Sequence, residues 1–406
     1  MHPLGRGGPL GSRNFRLLAA CTLISVAGSQ AAGVAIPFAV LRSGGSASDV
    51  GYVATAELIA MIGCLLLGGV TADRLPRHHV IMAAEAVQAL GQAVAAALVL
   101  TGHARIWQLA VLAAAGGAGF GLYYPAAQGL LPQTVPASQR PQANALYRTG
   151  RNAAAIGGAA LGGLITGLAG PGWALAADAA SFAVAAALRS AMRFQRSAPA
   201  DAPGLLREGW REFTSHRWLW IIVAQFALVT GVYAAAMSVL GPLVAHSSLG
   251  GARSWGLITA AYAAGAVAGG LVMTRFRPGR LLVAAMLSVP AYSLLLFALA
   301  VPLPVPLDLA AALVAGGSLE VFTVCWATTM QQEIRPEMLS RVASYDALGG
   351  IALTPAATAV AGPIATAIGT ASVLRAGGAL VAVLPVLTLL IPEVRHMRRK
   401  QQPHRK

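Results

Sequence analysis

Charge is what this chain has least of. Only 11% of its 406 residues are charged, 14 are Asp or Glu, and the two lysines, Lys400 and Lys406, sit in the tail. Soluble globular proteins carry roughly a quarter charged residues, so a fully water-solvated surface is excluded and a bilayer is the solvent that fits. Cysteine is also scarce. Cys21, Cys64 and Cys325 stand singly in separate apolar stretches, without the spacing of a metal site or a disulfide framework, and read as small packing residues. The sequence has no glycine loop followed by Lys-Ser or Lys-Thr, no metal-ligand cluster and no nucleophile with a credible base, which argues against an enzyme. No metal or cofactor is expected. Work done by such a chain must draw on an ion gradient, and without a visible sodium site the proton gradient is the default.

What is abundant is apolar sequence: 56% of residues are hydrophobic, and the mean hydropathy is +0.66. Apolar runs of about 20 residues, each long enough to cross about 30 Å of hydrocarbon, recur from end to end. They predict spans near 15–41, 49–72, 79–101, 105–131, 143–168, 171–191, 217–245, 253–275, 279–300, 305–331, 342–367 and 370–392. The expected fold class is therefore an all-α integral membrane protein of about twelve transmembrane helices. The first run is too long for a signal-peptide core and contains Gln30 and Pro37, so it is expected to remain as the first span.

The formal net charge of +15 is sorted by position. With the N-terminus in the cytoplasm, the inner segments collect Arg13, Arg16, Arg74, Arg77, Arg140, Arg189, Arg211, Arg217, Arg335, Arg341 and the basic tail, leaving Arg42, Arg105, Arg253 and Arg375 outside. Excess Lys and Arg in short loops marks the cytoplasmic face, so both termini are expected inside. The basic residues are read as topology signals and contacts to anionic lipid, not as a nucleic-acid footprint.

The longest polar stretch lies near mid-chain. It divides the sequence into a cytoplasmic N-terminal segment (1–14), a six-helix bundle (15–191), a cytoplasmic linker (192–216), a second six-helix bundle (217–392) and a basic cytoplasmic tail (393–406). The halves resemble each other at an offset of about 200 residues. Gly68 to Arg74 (GGVTADR) matches Gly269 to Arg275 (GGLVMTR), and Pro136 to Asn144 (PASQRPQAN) matches Pro336 to Ser344 (PEMLSRVAS). Repeated halves are characteristic of secondary transporters, with the site at the repeat interface near the midplane.

The stretch Gly69-Val70-Thr71-Ala72-Asp73-Arg74-Leu75-Pro76-Arg77-His78 resembles the G-x-L-A-D-R-x-G-R-K loop between helices two and three of the major facilitator superfamily, departing from it at Thr71, Pro76 and His78. Gly158 to Leu164 (GAALGGL) resembles the G-P-x-L-G-G-x element of that superfamily's drug and siderophore exporters, with Ala159 where a proline is usual. Asp178 to Phe182 (DAASF) resembles their helix-six element, and Gln332, Pro336, Arg341, Val342 and Ser344 fit their helix ten to eleven loop. The likeness runs from about Phe15 to Pro392 and points to the branch that includes enterobactin and macrolide exporters, drug:proton antiporters. It implies two pseudo-symmetric bundles, export as the direction, and a gating role for the loop of Gly69, Asp73, Arg74 and Arg77. Without the resemblance, those residues also read as a plain solvated turn.

Ionisable groups inside spans are costly and hence informative. Glu57 and Glu320 lie in apolar settings and are candidates for carrying a proton; Asp178 is either a third or a structural hydrogen-bond former. Arg148 and Arg151 either pair with Glu85 or Asp346, closing an inner gate, or snorkel to lipid phosphates. Gln30, Tyr123, Tyr124, Gln128, Tyr233 and Trp326 form a mixed polar and aromatic set suited to an amphipathic ligand, though each singly is as readily a packing residue. The expected function is proton-coupled export of a small amphipathic organic compound. Alternatives on the same scaffold are a nutrient uptake permease and a non-transporting receptor or assembly partner. The expected setting is a bacterial inner membrane, judged from Ala-, Gly- and Arg-rich usage, with a small molecule and lipid as partners, no nucleic acid, and a monomer sufficient.

Overall fold

A computed structural model describes residues 8–74, 77–128, 130–192, 205–276, 278–301 and 303–397; the side chains of 66–74, 77, 78, 125, 128, 132, 137, 205–208, 336, 337 and 340 lie outside that description. Among the described residues the chain is helical throughout, with no strand. In order it forms α1 (Arg13–Arg42), α2 (Ala47–Arg74), α3 (Arg77–Leu100), α4 (Ile106–Gln128), α5 (Arg140–Leu168), α6 (Pro171–Ser190), α7 (Leu205–Ser215), α8 (Arg217–Ala235), α9 (Gly241–Ser248), α10 (Ala252–Arg275), α11 (Leu281–Ser288), α12 (Ser293–Leu299), α13 (Val305–Glu333), α14 (Pro336–Ile351), α15 (Thr354–Ile368), α16 (Thr370–Thr388) and α17 (Pro392–His396).

Among the described residues, eleven stretches are long and apolar enough to cross a membrane. The twelfth expected span is α5, whose 29 residues exceed the crossing length but whose Arg140, Arg148, Arg151, Asn144 and Asn152, followed by a run of alanine and glycine, dilute its hydropathy. Three expected spans are not continuous helices. α8 passes through a π segment at Ala236–Leu240 into α9, α11 and α12 are joined by a 3-10 turn at Val289–Tyr292, and α14 stops two residues before α15. Each interruption adjoins a proline, Pro242, Pro290 or Pro355, which lacks an N–H and whose ring collides with the carbonyl four residues back. Pro37, Pro363 and Pro385 lie inside unbroken helices.

Local sequence sets the helix starts. Ser46 and Asp49 form a reciprocal cap at the head of α2: Asp49 Oδ2 accepts from the Ser46 N–H (2.7 Å) and Ser46 Oγ from the Asp49 N–H (3.3 Å). The turn before α6 uses Gly170 at φ +101° and the turn before α16 uses Gly369 at φ +88°, a conformation that suits glycine. These two turns stand about 200 residues apart, the same offset as the repeated motifs.

The chain forms two compact units: Met1–Asp201 with Gly241–Ala260 and Thr358–Pro363, and Ala202–Leu240 with Ala261–Ala357 and Ile364–Lys406. In the first, α2 packs along α4, and α1 lies against α5 and α6. The glycine run of α5 serves close crossing. A Cβ on Gly158 or Gly162 would fall on the backbone of Ala27 or Ala31 in α1, and one on Gly163 would stand 2.7 Å from Gly256 Cα in α10. Phe15, Leu18, Cys21, Ile81, Leu130 and Ala185 belong to one buried apolar cluster of this unit. In the second unit α13 packs on α11 and α12, α16 on α12, and the linker helix α7 docks on α14. There Trp210 meets Tyr345 edge-on at 5.4 Å, Phe213 lies 6.1 Å from Tyr345, and Glu212 bridges to Arg335 (3.0 Å) and His216 (3.5 Å).

Candidate functional site

Within the first unit, α1, α2, α3, α4 and α6 surround a small cavity in which three side chains are polar, Glu57, Gln88 and Gln92. Helical phase accounts for the amides: Gln88 and Gln92 stand one turn apart on α3, below the buried Ala95 and above the buried Ala84 and Glu85. Glu57 is placed against α4 because Gly117 lets the two helices touch at the Glu57 backbone. Glu57 and Gln88 both line the cavity, and Gln88 is buried.

Asp178 projects from α6 toward α1 and is 1% exposed. The Ser181 hydroxyl donates to its Oδ1 (3.3 Å) and to its backbone carbonyl (2.8 Å), and Gly28 of α1 leaves the room both side chains occupy. Asp178 Oδ2 has no hydrogen-bond partner among the described residues.

Glu85 and Arg189 form an ion pair with both side chains at 0% exposure. Arg189 donates through Nη2 to Oε1 (2.7 Å) and through Nε to Oε2 (3.0 Å), and its guanidinium carbon lies 5.7 Å from the centre of the Tyr123 ring. This corrects one expectation. Glu85 is taken by Arg189 of α6, not by Arg148 or Arg151, which are exposed on α5. Asp346 accepts from Trp326 Nε1 (3.0 Å). A bidentate fork satisfies both oxygens of a buried carboxylate, which an arginine on an exposed helix face cannot do without carrying its charge inside. Arg189, counted above among the basic loop residues, is a buried member of the α6 face that holds Asp178, Ser181, Phe182 and Ala185. That phase was the signal that would have found it.

In the second unit Glu320 lies beside Gly270. Tyr262, Tyr233 and Tyr292 gather with ring centres 5.5–6.4 Å apart. Trp326 is 8% exposed and stacks on Phe322 (6.1 Å), which stacks on Phe226 (4.3 Å), while Trp218 meets Trp326 edge-on (5.6 Å). Trp326 is thus a packed wall anchored on Asp346. Asp308 went unnoticed in the sequence: in the first turn of α13 it is 0% exposed with neither carboxylate oxygen hydrogen-bonded.

The remaining candidates are distributed between the units. Gln30 and Tyr124 are exposed in the first, Tyr123 is partly buried beneath Arg189, and Tyr233 is partly buried in the second. Gly69, Asp73 and Arg74 end α2 and Arg77 opens α3, but their side chains, like that of Gln128, lie outside the described residues. Among the described residues no group of His, Cys, Asp and Glu could hold a metal ion, and the three cysteines are free.

Residues 18–352 match the family model described as Major Facilitator Superfamily. The chain belongs to that superfamily. This facilitator is 25% identical over 405 residues to the Multidrug efflux pump Tap of Mycolicibacterium fortuitum, covering 95% of this chain and 98% of that one. Tap of Mycobacterium tuberculosis (strain ATCC 25618 / H37Rv) is 32% identical over 161 residues, 38% of each chain. Among solved structures, the nucleoside transporter NupG superposes with a TM-score of 0.75 at 12% identity, covering 93% of this chain and 98% of that one. A bacterial homologue of the human lysosomal transporter Spinster superposes with a TM-score of 0.68 at 17% identity, covering 93% and 96%. At these identities the structures establish the fold. The facilitator is a multi-pass membrane transporter by family, and the names of its relatives point away from an enzyme.

Proposed function

We propose that this chain exports a small amphipathic organic compound, of the drug, siderophore or secondary-metabolite kind, across a bacterial inner membrane by proton-coupled alternating access of its two halves. The observation that carries the export reading is the likeness to a multidrug efflux pump over 98% of that pump's length. In this reading both termini are cytoplasmic, the loop of Gly69, Asp73, Arg74 and Arg77 latches one of the two states, and Arg148 and Arg151 face the inner lipid. Gln30, Tyr124, Gln128 and Tyr233 contribute to the substrate surface, with Trp326 as packed backing. A monomer suffices for this cycle. Glu57, Asp178 and Glu320 are the carboxyls available to carry the coupling proton, since a membrane-embedded carboxyl that changes protonation biases whichever state solvates it better.

The test is uptake of a panel of amphipathic fluorescent compounds into inverted, energised vesicles, with and without a protonophore. Accumulation that collapses with the pH gradient is the expected result. Accumulation only into right-side-out vesicles favours nutrient uptake and overturns export. Binding without movement under any gradient favours the receptor reading.

A further inference from the structure

A second cavity, of about 390 Å³, opens in the second unit between the α7–α8 turn and the tail helix α17. Its lining includes His216, Arg217, Trp218, Glu393 and His396. The two sides are joined by a hydrogen bond from the Trp218 N–H to Glu393 Oε2 (3.1 Å). That bond also fixes the depth of the groove. One span begins at Arg217, and α17 follows the span that ends at Thr388, so the groove stands where two spans leave the hydrocarbon on the same side. Trp210 on α7 and Trp220 in the first turn of α8 are exposed there, placed as interfacial aromatic residues are.

The charges around the groove suit an anion. Arg217 is exposed and has no ion-pair partner among the described residues. His396 Nδ1 bonds to the Pro392 carbonyl (2.9 Å). A carbonyl only accepts, so Nδ1 carries the hydrogen, and Nε2 has one to give only when the ring is protonated. His216 Nε2 lies 3.5 Å from Glu212, whose other oxygen is taken by Arg335. Glu393, the carboxylate at the groove itself, has one oxygen occupied by the Trp218 N–H, and Arg395 follows it on α17. The helix that packs on α17, α11, is uncharged from Leu281 to Ser288. With both imidazoles protonated, the cations at the groove outnumber its one carboxylate. A guanidinium fork beside two imidazolium donors matches the several acceptor oxygens of a phosphate.

We infer that this groove binds the phosphate of an anionic phospholipid headgroup and so ties the linker turn to the tail helix. Place argues for a lipid over a soluble phosphate: headgroup phosphates lie at the depth where spans end, and basic pockets between transmembrane helices take such headgroups. The inference goes beyond the transport reading and holds whichever compound and ion the protein moves. It differs from the diffuse attraction of basic loops to a membrane in depending on particular side chains and, through His396, on a proton taken up with the ligand.

The test is equilibrium binding of phosphatidylglycerol, labelled on its acyl chain, to the full-length protein in neutral detergent, with similarly labelled phosphatidylcholine as comparison. Phosphatidylglycerol should bind more tightly than phosphatidylcholine, and more tightly at about pH 6 than at about pH 8. Arg217→Gln and His396→Gln should each weaken it about tenfold, and the second should flatten the pH dependence. Glu393→Gln should tighten binding, because an amide oxygen still accepts from the Trp218 N–H while the negative charge is gone; a merely structural Glu393 predicts no gain. All three side chains are exposed, and thermal unfolding of the lipid-free variants verifies that each is folded. Equal affinity for the two lipids, or an equal loss from Arg275→Gln, an exposed arginine at the end of α10, would reduce the effect to diffuse attraction and overturn the site. Displacement of the lipid by inorganic phosphate at comparable concentration would give the groove to a soluble anion and overturn the lipid assignment.

Discussion

At the scale of single residues, the Glu85–Arg189 pair shows how little of a buried charge's role is visible in its neighbours along the chain. Arg189 stands at the end of a span beside Ser190, where an arginine ordinarily marks the cytoplasmic boundary. Only its phase on α6, eleven residues beyond Asp178, places it on the face that α6 turns inward. Removing one partner leaves the other charge buried without compensation. Arg189→Ala is therefore expected to cost about 3–5 kcal/mol. Replacing both members with methionine should cost much less, and Arg148→Gln and Arg151→Gln should each change stability by no more than about 0.5 kcal/mol. Thermal unfolding in detergent ranks the variants; equal losses from Arg148→Gln and Arg189→Ala would mean the pairing is wrong.

At the scale of elements, α7 turns the polar connection between the halves into a docked strap. Its aromatic face, Trp210 and Phe213, meets Tyr345 of α14, Gly209 allows close approach to Arg341, and Glu212 reaches Arg335 in the turn before α14. The Arg335 hydrogen bond holds the Glu212 carboxyl below its ordinary range, with His216 adding to the effect. A carboxyl depressed in the docked state contributes stability that is present above the unfolded value of about 4.3 and lost as pH falls through the docked value. Acidification through that window is expected to loosen α7, and Arg335→Ala to loosen it already at neutral pH. Hydrogen exchange across 205–215 measures both; protection indifferent to pH and to Arg335 would rule out the ionic contribution. The sequence indicated a polar connection here but not a docked helix, because Tyr345 and Arg335 lie more than a hundred residues away. Likewise, the apolar runs 217–245, 279–300 and 342–367 do not reveal their interruptions to a hydropathy count. Pro242, Pro290 and Pro355 do, although Pro37 and Pro385 lie within helices that continue unbroken.

At the scale of the whole molecule, the arginine distribution makes a prediction about orientation. Reporter domains fused at either terminus should be active in the cytoplasm and silent outside, while one inserted after Gly102 should behave oppositely; activity of all three on one side would overturn the positive-inside assignment. The membrane setting, the dozen spans, the repeat and the superfamily were legible in the sequence by itself. Each of these depends on local or additive quantities: a helix in lipid satisfies its own backbone, so length and hydropathy nearly suffice to find it, and glycine turns and loop motifs are read residue by residue. Which charges meet was decided by tertiary structure alone. Glu57 became part of a small polar cavity only when Gln88 and Gln92 of α3 arrived opposite it, and Asp178 and Ser181 of α6 fit against α1 only because Gly28 leaves them room. Those meetings depend on which helices are neighbours and how each is rotated, and small side chains in contact set both. No single helix carries that information.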